Sequence, residues 1–280
     1  MRMATFTDID LSEYDTDKSR SYLDFYGAEL GHLTSEPIRL LELGVRRGGS
    51  LLLWRDLFPH AQIAGLDITP VTVPDETGRV RSYVGFQQDE VILDRIAAEV
   101  APGGFDVIID DASHIGQYTA ASFWHLFTRH LKPGGLYVLE DWSCGYWPEW
   151  PDGHEYSGDP AAVGAPRTTE TQVASGRVEH LHRRLRAAAP RVSARVESMP
   201  RLKSALRVFY TKVEGASVQR RFQSHDYGMV GFVKQLVDAC AVDVMRNSSS
   251  TVDGDVLRGQ IQFVKIAPSQ VFVRKIVASL

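Results

Sequence analysis

The sequence predicts an α/β protein with a doubly wound, mostly parallel sheet and a helical insertion before the closing strands. Two observations predict this fold: short apolar runs alternate with amphipathic stretches of ten or more residues, and short loops join them. We predict strands at 38–44, 61–68, 81–86, 105–111 and 136–141. Helices are predicted between them, within the stretch 46–61 and at 89–100 and 116–131.

Each of these elements has a local cause. The run IRLLELG at 38–44 is short, apolar and ends in glycine, as a buried parallel strand does. After it, Leu51, Trp54 and Leu57 recur at helical spacing, and Ser50 is a possible cap. Right-handed crossovers bring the carboxyl ends of parallel strands to one edge of the sheet, where ligands bind.

The region 145–225 interrupts the alternation. An aromatic stretch rich in proline and glycine leads into an arginine-rich helical stretch. We interpret the region either as a solvated helical excursion or as a lid or oligomer arm. Apolar patterns return at 227–246 and 260–276, which predicts a helix (FVKQLVDACAV) and closing strands, with His225-Asp226-Tyr227 opening a strand.

Composition excludes several classes of protein. The 280 residues carry 31 basic and 35 acidic side chains, a net charge of −4, which disfavours a nucleic-acid partner. No apolar run is long enough for a membrane span, and the acidic N-terminus is no secretion signal. Two cysteines suit a reducing cytoplasm. We therefore expect a cytoplasmic protein that acts on small molecules, without nucleic acid or membrane.

A glycine-rich turn follows the first strand. Glu42 precedes Gly44, and Gly48 and Gly49 follow in the spacing G-x-x-x-G-G, which differs from the G-x-G-x-x-G of dinucleotide-binding proteins. An acid at position 42 would suit a cation or an ammonium group. Asp67, at the end of the second strand, can accept hydrogen bonds from the hydroxyls of a ribose.

These residues resemble the cofactor motif of class I S-adenosylmethionine-dependent methyltransferases. The resemblance implies that the loop after Gly44 holds the methionine part and that Asp67 holds the ribose. Gln88 and Asp89 would face the adenine, although Asp89 is as well explained as an acid at a helix N-terminus. The predicted cofactor-binding residues are Thr16, Lys18, Glu42, Gly44, Gly48, Ser50, Asp67, Gln88, Asp89 and Asp110.

The stretches VIIDDASHIG and LYVLEDWSCGYWP are more specific. They resemble the metal-dependent sugar O-methyltransferases that tailor macrolides and related glycosylated antibiotics. The N-terminal TDKSRSYLDFY resembles the segment of that group that folds over the cofactor, so 1–35 is predicted as a helical covering segment and 36–280 as the methyltransferase domain. The resemblance also implies a glycosylated small-molecule substrate and a homo-oligomer.

In that group, the matching positions bind Mg²⁺ and supply a base, which assigns Asp111, Glu140 and Asp141 as ligands and His114 as the base. Chemistry leads to the same ion, because three carboxylates at neighbouring strand ends repel one another unless a cation lies between them. Alternatives remain: Asp111 as a helix cap, and His114 as a structural histidine. Adjacent strand residues point to opposite faces, so both Glu140 and Asp141 can ligate only if the strand ends there.

Aromatic residues follow the fifth strand. Trp142 and Tyr146, together with His225, are predicted to contact the substrate. Trp147 and Trp150 could also stack on a sugar or aglycone, although packing explains all four aromatics as well. His125 and His130 are interpreted as surface residues. The leading hypothesis is a sugar O-methyltransferase that uses S-adenosylmethionine and Mg²⁺. The alternatives are a catechol-type O-methyltransferase and a non-catalytic cofactor-binding scaffold.

Overall fold

The computed structural model describes residues 5–147, 149–158, 167–168, 223–246 and 260–277. The strands are β1 (Arg39–Leu43), β2 (Gln62–Asp67), β3 (Val80–Val84), β4 (Phe105–Asp110), β5 (Leu131–Glu140), β6 (Arg167–Thr168), β7 (Gln223–Ser224), β8 (Ile261–Ile266) and β9 (Gln270–Lys275). The α-helices are α1 (Arg20–Leu30), α2 (Gly49–Leu57), α3 (Glu90–Val100), α4 (Gly116–Arg129), α5 (Pro151–Gly158) and α6 (Gly228–Arg246).

The chain forms two compact units. One comprises Met1–Asp159 and Asp226–Leu280, and the other comprises Pro160–His225. In the second unit, the described residues form a two-stranded antiparallel pair of β6 and β7. The predicted excursion over 145–225 lies mostly outside the described residues, and its proposed role as a lid or arm stays a prediction.

The first unit contains a seven-stranded sheet in the order β3-β2-β1-β4-β5-β9-β8. The first five strands are parallel, and β9 runs antiparallel to both β5 and β8. The predicted doubly wound, mostly parallel sheet is therefore confirmed. Among the described helices, none is long and apolar enough to cross a membrane.

Two predicted boundaries were wrong. The fifth strand does not begin at 136, because β5 already begins at Leu131 and takes up Lys132–Gly135 at a register shift opposite β4. No strand opens at His225-Asp226-Tyr227, because α6 begins at Gly228 and the short β7 ends at Ser224. The carboxylate of Asp152 accepts a hydrogen bond from the amide of Met229, which satisfies a donor in the first turn of α6.

Alternate strand residues build two hydrophobic cores on opposite faces of the sheet. On one face, Leu41 and Leu43 of β1 belong to a cluster with residues of α3, α4 and α6. On the other face, Leu40 belongs to a cluster with residues of α1 and α2. We call these the α4 face and the α2 face. The alternation decides which side of the sheet each acid at the strand ends occupies.

Asp75 fixes the loop that leads into β3. Its carboxylate accepts hydrogen bonds from the amides of Thr77, Arg79 and Val80. Burial alone would raise the pKa of Asp75, but hydrogen bonds, chiefly from Thr77 and Val80, lower it to about 2. A carboxylate whose pKa is lower in the folded state stabilises that state above its unfolded pKa, and the contribution disappears as the pH falls through the folded pKa.

Replacing Asp75 by asparagine is therefore expected to lower the free energy of unfolding by about 2 kcal/mol at pH 7. The difference between the two proteins should shrink as the pH falls from about 4 towards 2, where the native carboxylate also becomes protonated. Urea denaturation at several pH values measures it. A difference that is the same at every pH would contradict this role of the carboxylate.

Candidate active site

The side chain of Lys18 lies among three acids at the carboxyl ends of the strands. Its Nζ donates to Glu140 Oε2 at 2.8 Å and to Asp111 Oδ2 at 2.9 Å, and it lies 3.2 Å from Glu42 Oε1. Lys18, Glu42 and Glu140 are buried. Glu42, which was expected to suit a cation or an ammonium group of a ligand, lies beside the ammonium of Lys18 in the structure.

One ammonium cannot neutralise three carboxylates. Burial would lower the pKa of Lys18, but the charges of Glu140, Asp111 and Glu42 outweigh it and hold that pKa well above its ordinary value. For Glu140, burial and the nearby charge of Asp111 raise the pKa well above the usual range. Burial also raises the pKa of Glu42, which accepts a hydrogen bond from Ser50 Oγ at 2.6 Å. Burial and repulsion between the acids therefore disfavour their charged forms, and a second cation beside them would favour ionisation.

Glu140 and Asp141 separate because the strand ends between them. Glu140 is the last residue of β5, and Asp141 has a left-handed backbone with φ 52°. Glu140 accepts hydrogen bonds from Lys18 and from the hydroxyl of Tyr26 on α1. Asp141 instead accepts a hydrogen bond from the hydroxyl of Tyr22, one turn earlier on the same helix.

Asp111, His114 and Asp141 lie close enough together to hold a metal ion. One ligand atom from each of the three lies within 4.8 Å of the others. His114 Nε2 lies 3.8 Å from Asp111 Oδ1, which is too far for a hydrogen bond. The structure thus brings together two of the three predicted ligands and the predicted base, while both oxygens of Glu140 engage other side chains.

A cavity of about 770 Å³ opens at this edge of the sheet. Of the predicted site residues, those that line it are Thr16, Gly44, Ser50, Asp67, Gln88, Asp111, His114 and Asp141. Those that do not line it are Lys18, Glu42, Gly48, Asp89, Asp110, Glu140, Trp142 and Tyr146. His225 belongs to the second unit, where its side chain is buried.

Three cavity residues other than glycine adopt a left-handed backbone. Arg46, His114 and Asp141 have φ values of 50°, 53° and 52°. Such a conformation costs a side-chain-bearing residue of order 1 kcal/mol or more, and it persists where the surrounding structure enforces it. Among the described residues, these three are the complete set of non-glycine residues with positive φ, and all three line the cavity. Backbone strain is thus concentrated at the candidate site.

Gly44 and Gly48 both combine a left-handed backbone with close neighbours, which are backbone atoms at Gly44 and side-chain methyl groups at Gly48. At Gly44, with φ 80°, a Cβ would lie 2.2 Å from the carbonyl oxygen of Asp111. At Gly48, with φ 84°, a Cβ would lie 2.9 Å from a methyl group of Val73. Gly44 therefore lets the loop after β1 press against the loop after β4, which brings Asp111 to the cavity wall.

Asp67 is already surrounded by hydrogen-bond donors. Its Oδ2 accepts from the amides of Val45 and Arg46 at 3.1 and 2.8 Å, and its Oδ1 accepts from the amide and the hydroxyl of Thr69 at 2.9 and 2.8 Å. Burial would raise the pKa of Asp67, but the bonds from Thr69 and the two amides outweigh it and lower that pKa. A ribose hydroxyl would have to replace the hydroxyl of Thr69.

Asp110 faces away from the cavity, on the α4 face. Its carboxylate accepts hydrogen bonds from Ser122 Oγ, Tyr137 Oη and the side-chain amide of Gln87. Burial raises the pKa of Asp110 to about 6. Asp110 was predicted to bind cofactor, but strand alternation directs it into the core, and its neighbour Gln87 reaches the cavity instead. Sequence analysis missed Gln87, which also accepts a hydrogen bond from the amide of Ser113.

Asp89 caps α3, as its alternative interpretation held. Its carboxylate accepts a hydrogen bond from the amide of Val91 at 3.0 Å, and the residue does not line the cavity.

Of the two tryptophans that flank the segment after β5, one packs against the core and the other lines the cavity. Trp142 packs against the α4-face core and donates from its indole to the carbonyl of Ala267, whereas Trp150 lines the cavity with its ring 5.2 Å from that of His114.

Asp152 is a buried residue that sequence analysis also missed. Its Oδ2 accepts hydrogen bonds from Gly116 N at 2.8 Å and from Met229 N at 2.7 Å. A single carboxylate therefore satisfies amides at the N-termini of both α4 and α6, where the helix dipole favours negative charge. Since Trp150 lies just before it in the chain, Asp152 anchors the segment that carries this aromatic cavity wall.

Comparison with known proteins gives sequence matches over part of the chain and a structural match over nearly all of it. The mycinamicin VI 2''-O-methyltransferase of Micromonospora griseorubida is 46% identical over 121 residues, 41% of this chain and 29% of that protein. The L-olivosyl-oleandolide 3-O-methyltransferase of Streptomyces antibioticus is 33% identical over 181 residues, 60% of this chain and 44% of that protein. No family model matches the chain.

Among solved structures, the MycE methyltransferase from the mycinamycin biosynthetic pathway, in complex with Mg and SAH, matches with a TM-score of 0.61. The sequence identity is 25%, and the match covers 99% of this chain and 55% of that one. The chain thus spans about half the length of this relative. Sequence and fold together confirm the resemblance stated above: the chain has the class I methyltransferase fold and is a homologue of the antibiotic sugar O-methyltransferases.

Proposed function

We propose that this protein transfers a methyl group from S-adenosylmethionine to a sugar hydroxyl of a glycosylated natural product, with the help of Mg²⁺. The observation that carries the proposal is the convergence of Asp111, His114 and Asp141 at one wall of the cavity. The relatives support the substrate class, because those named above methylate sugar-bearing antibiotics or their precursors.

The cavity suits S-adenosylmethionine in size and lining. Its volume of about 770 Å³ leaves room for an acceptor beside the cofactor. The backbone of the turn that begins at Gly44 is open to a ligand, and Asp67 lies at the end of the neighbouring strand. Exposed Ile68 and Phe86 offer apolar surface for the flat adenine, with Gln88 beside them. The cofactor itself supplies an activated methyl group.

The acids of the site suit a divalent cation. The pKa values of Glu42 and Glu140 stay raised although Lys18 lies beside them, so a further cation would favour the ionised acids. Asp141 adds a carboxylate at the cavity wall. Asp111 and Asp141 would hold Mg²⁺, whose preferred ligands are carboxylate and water oxygens. When bound, the ion supplies positive charge that makes a substrate hydroxyl more acidic. Glu140 then contributes indirectly: its carboxylate accepts a hydrogen bond from Lys18 and so keeps the ammonium beside Asp111.

His114 would accept the hydroxyl proton at Nε2, the ring nitrogen that faces Asp111. The edge of the ring meets Trp150, and the left-handed backbone aims the side chain into the cavity. Trp150 also offers an aromatic face on which a sugar can stack. The remaining contribution of the chain is to orient the hydroxyl towards the methyl group and to exclude water.

The direct test is a methyl-transfer screen against glycosylated macrolides and related antibiotics, read by mass spectrometry. We expect a product heavier by one methyl group, formed in the presence of Mg²⁺ and lost on addition of a chelator. Methylation of a catechol with no turnover of any glycoside would favour the alternative enzyme. Binding of S-adenosylhomocysteine without methylation of either class would favour the scaffold hypothesis.

Replacing Asp67 by asparagine should weaken binding of S-adenosylhomocysteine about ten- to a hundredfold, because a charged acceptor for the ribose is lost. Isothermal titration calorimetry measures the dissociation constant. Asp89→Asn is the matched control, since Asp89 lies outside the cavity lining, and its constant should stay unchanged. An unchanged constant for Asp67→Asn would move the ribose elsewhere.

A further inference from the structure

A second convergence of histidine and carboxylate side chains lies between α3 and α4. His125 Nε2 is 2.7 Å from Asp94 Oδ1, and His130 Nε2 is 2.6 Å from the same oxygen. The ligand atoms of the three residues lie within 4.8 Å of one another. Sequence analysis interpreted both histidines as surface residues, but the His125 side chain is only 3% exposed. The Nε2 atoms of His125 and His130 therefore both face Asp94 Oδ1.

We propose that Asp94, His125 and His130 form a binding site for a borderline transition-metal ion such as Zn²⁺, distinct from the acids of the cavity. Two imidazole nitrogens and one carboxylate oxygen are a donor set that suits Zn²⁺, whereas Mg²⁺ prefers oxygen donors throughout. Three protein ligands leave one tetrahedral position for water.

A neighbouring carboxylate provides independent support. The other ring nitrogen of His125, Nδ1, lies 3.4 Å from Glu90 Oε2. Histidines that bind metals usually donate from their second nitrogen to a carboxylate or a carbonyl, which fixes the tautomer and frees the first nitrogen for the ion. Glu90 is placed to hold His125 with Nε2 turned towards Asp94.

The site lies at the sheet edge opposite the cavity. The carbonyl of His130 accepts a hydrogen bond from the amide of Phe105, the first residue of β4, whereas Asp111 follows the last residue of that strand. At about 3.3 Å per residue, β4 separates the two ends by roughly 17 Å. An ion there cannot touch a substrate in the cavity. It would instead join α3, which carries Asp94, to α4, which carries His125.

The test is calorimetric titration of the tag-free full chain with Zn²⁺, carried out in an Asp141→Asn background so that the acids of the cavity do not compete. We expect one saturable site. His130→Ala should abolish it, and Glu90→Gln should weaken it about tenfold, as loss of a carboxylate that orients a ligand does. His60→Ala, at an exposed histidine outside the cluster, should leave the affinity unchanged.

Two further measurements test the coordination of the ion and the folding of the variants. Substitution with Co²⁺ should give the intense visible absorption of a four-coordinate site, and His130→Ala should remove it. Retained circular dichroism and retained S-adenosylhomocysteine binding would show that the variants fold. The proposal is overturned if no saturable Zn²⁺ binding occurs, or if His130→Ala and Asp94→Asn bind Zn²⁺ as tightly as their parent.

Discussion

Replacing His114 by asparagine is expected to slow methyl transfer by about 10²- to 10⁴-fold, the usual contribution of a general base. Asparagine tolerates the left-handed backbone that position 114 requires, so the variant should keep the local structure while losing the proton acceptor. Single-turnover mass spectrometry measures the chemical step, and calorimetry with S-adenosylhomocysteine measures cofactor binding, which should not change.

Two controls separate a base from a structural histidine. His114→Ala should lose activity and also some stability, because alanine is strained at φ 53°. His32→Asn, at an exposed histidine that does not line the cavity, should retain full activity. If His114→Asn turned over at the parental rate, another group would have to accept the proton.

Replacing Asp141 by asparagine should remove Mg²⁺-stimulated turnover, with a loss of about 10³-fold, which corresponds to about 4 kcal/mol of transition-state stabilisation. Asparagine again suits the left-handed backbone, here with φ 52°, and its amide can still accept a hydrogen bond from Tyr22. The dependence of rate on Mg²⁺ concentration and the binding of S-adenosylhomocysteine are the two measurements, and only the first should change.

The neighbouring acid provides the comparison. Glu140→Gln alters an acid that is engaged by Lys18 and Tyr26, so it should lower the free energy of unfolding more than it changes the requirement for Mg²⁺. Asp24→Asn, at an exposed acid on α1, should change neither property. A large rise in the Mg²⁺ requirement for Glu140→Gln, with none for Asp141→Asn, would exchange the roles assigned to these two acids.

Local patterns were sufficient to predict the sheet. Apolar runs of five to eight residues and helices of 3.6-residue period are determined within short windows, so β1 to β4 and α2 to α4 lie close to their predicted positions. Alternation along a strand was also available as a signal. Applied to β4, it would have directed Asp110 into the core, where Ser122 and Tyr137 hold it.

Contacts between distant residues could not be predicted in this way. Lys18 meets Glu140 across 122 positions of sequence, and nothing local to either residue indicates the other. The same holds for Asp152, which bonds Gly116 and Met229 from a short helix between them. The choice of Trp150 over Trp142 as a cavity residue depends on where the chain turns after β5.

That the protein forms a homo-oligomer stays a prediction.

The left-handed backbone at Arg46, His114 and Asp141 also bears on how the preference for an acceptor could be altered by laboratory evolution. At such positions a library of all twenty amino acids would include destabilised members, above all those with β-branched side chains, which are genuine outliers there. Keeping His114 and Asp141 unchanged, restricting position 46 to arginine, glycine, asparagine and aspartate, and randomising the codon for Trp150 freely would concentrate screening effort on molecules that still fold and keep the proposed catalytic groups.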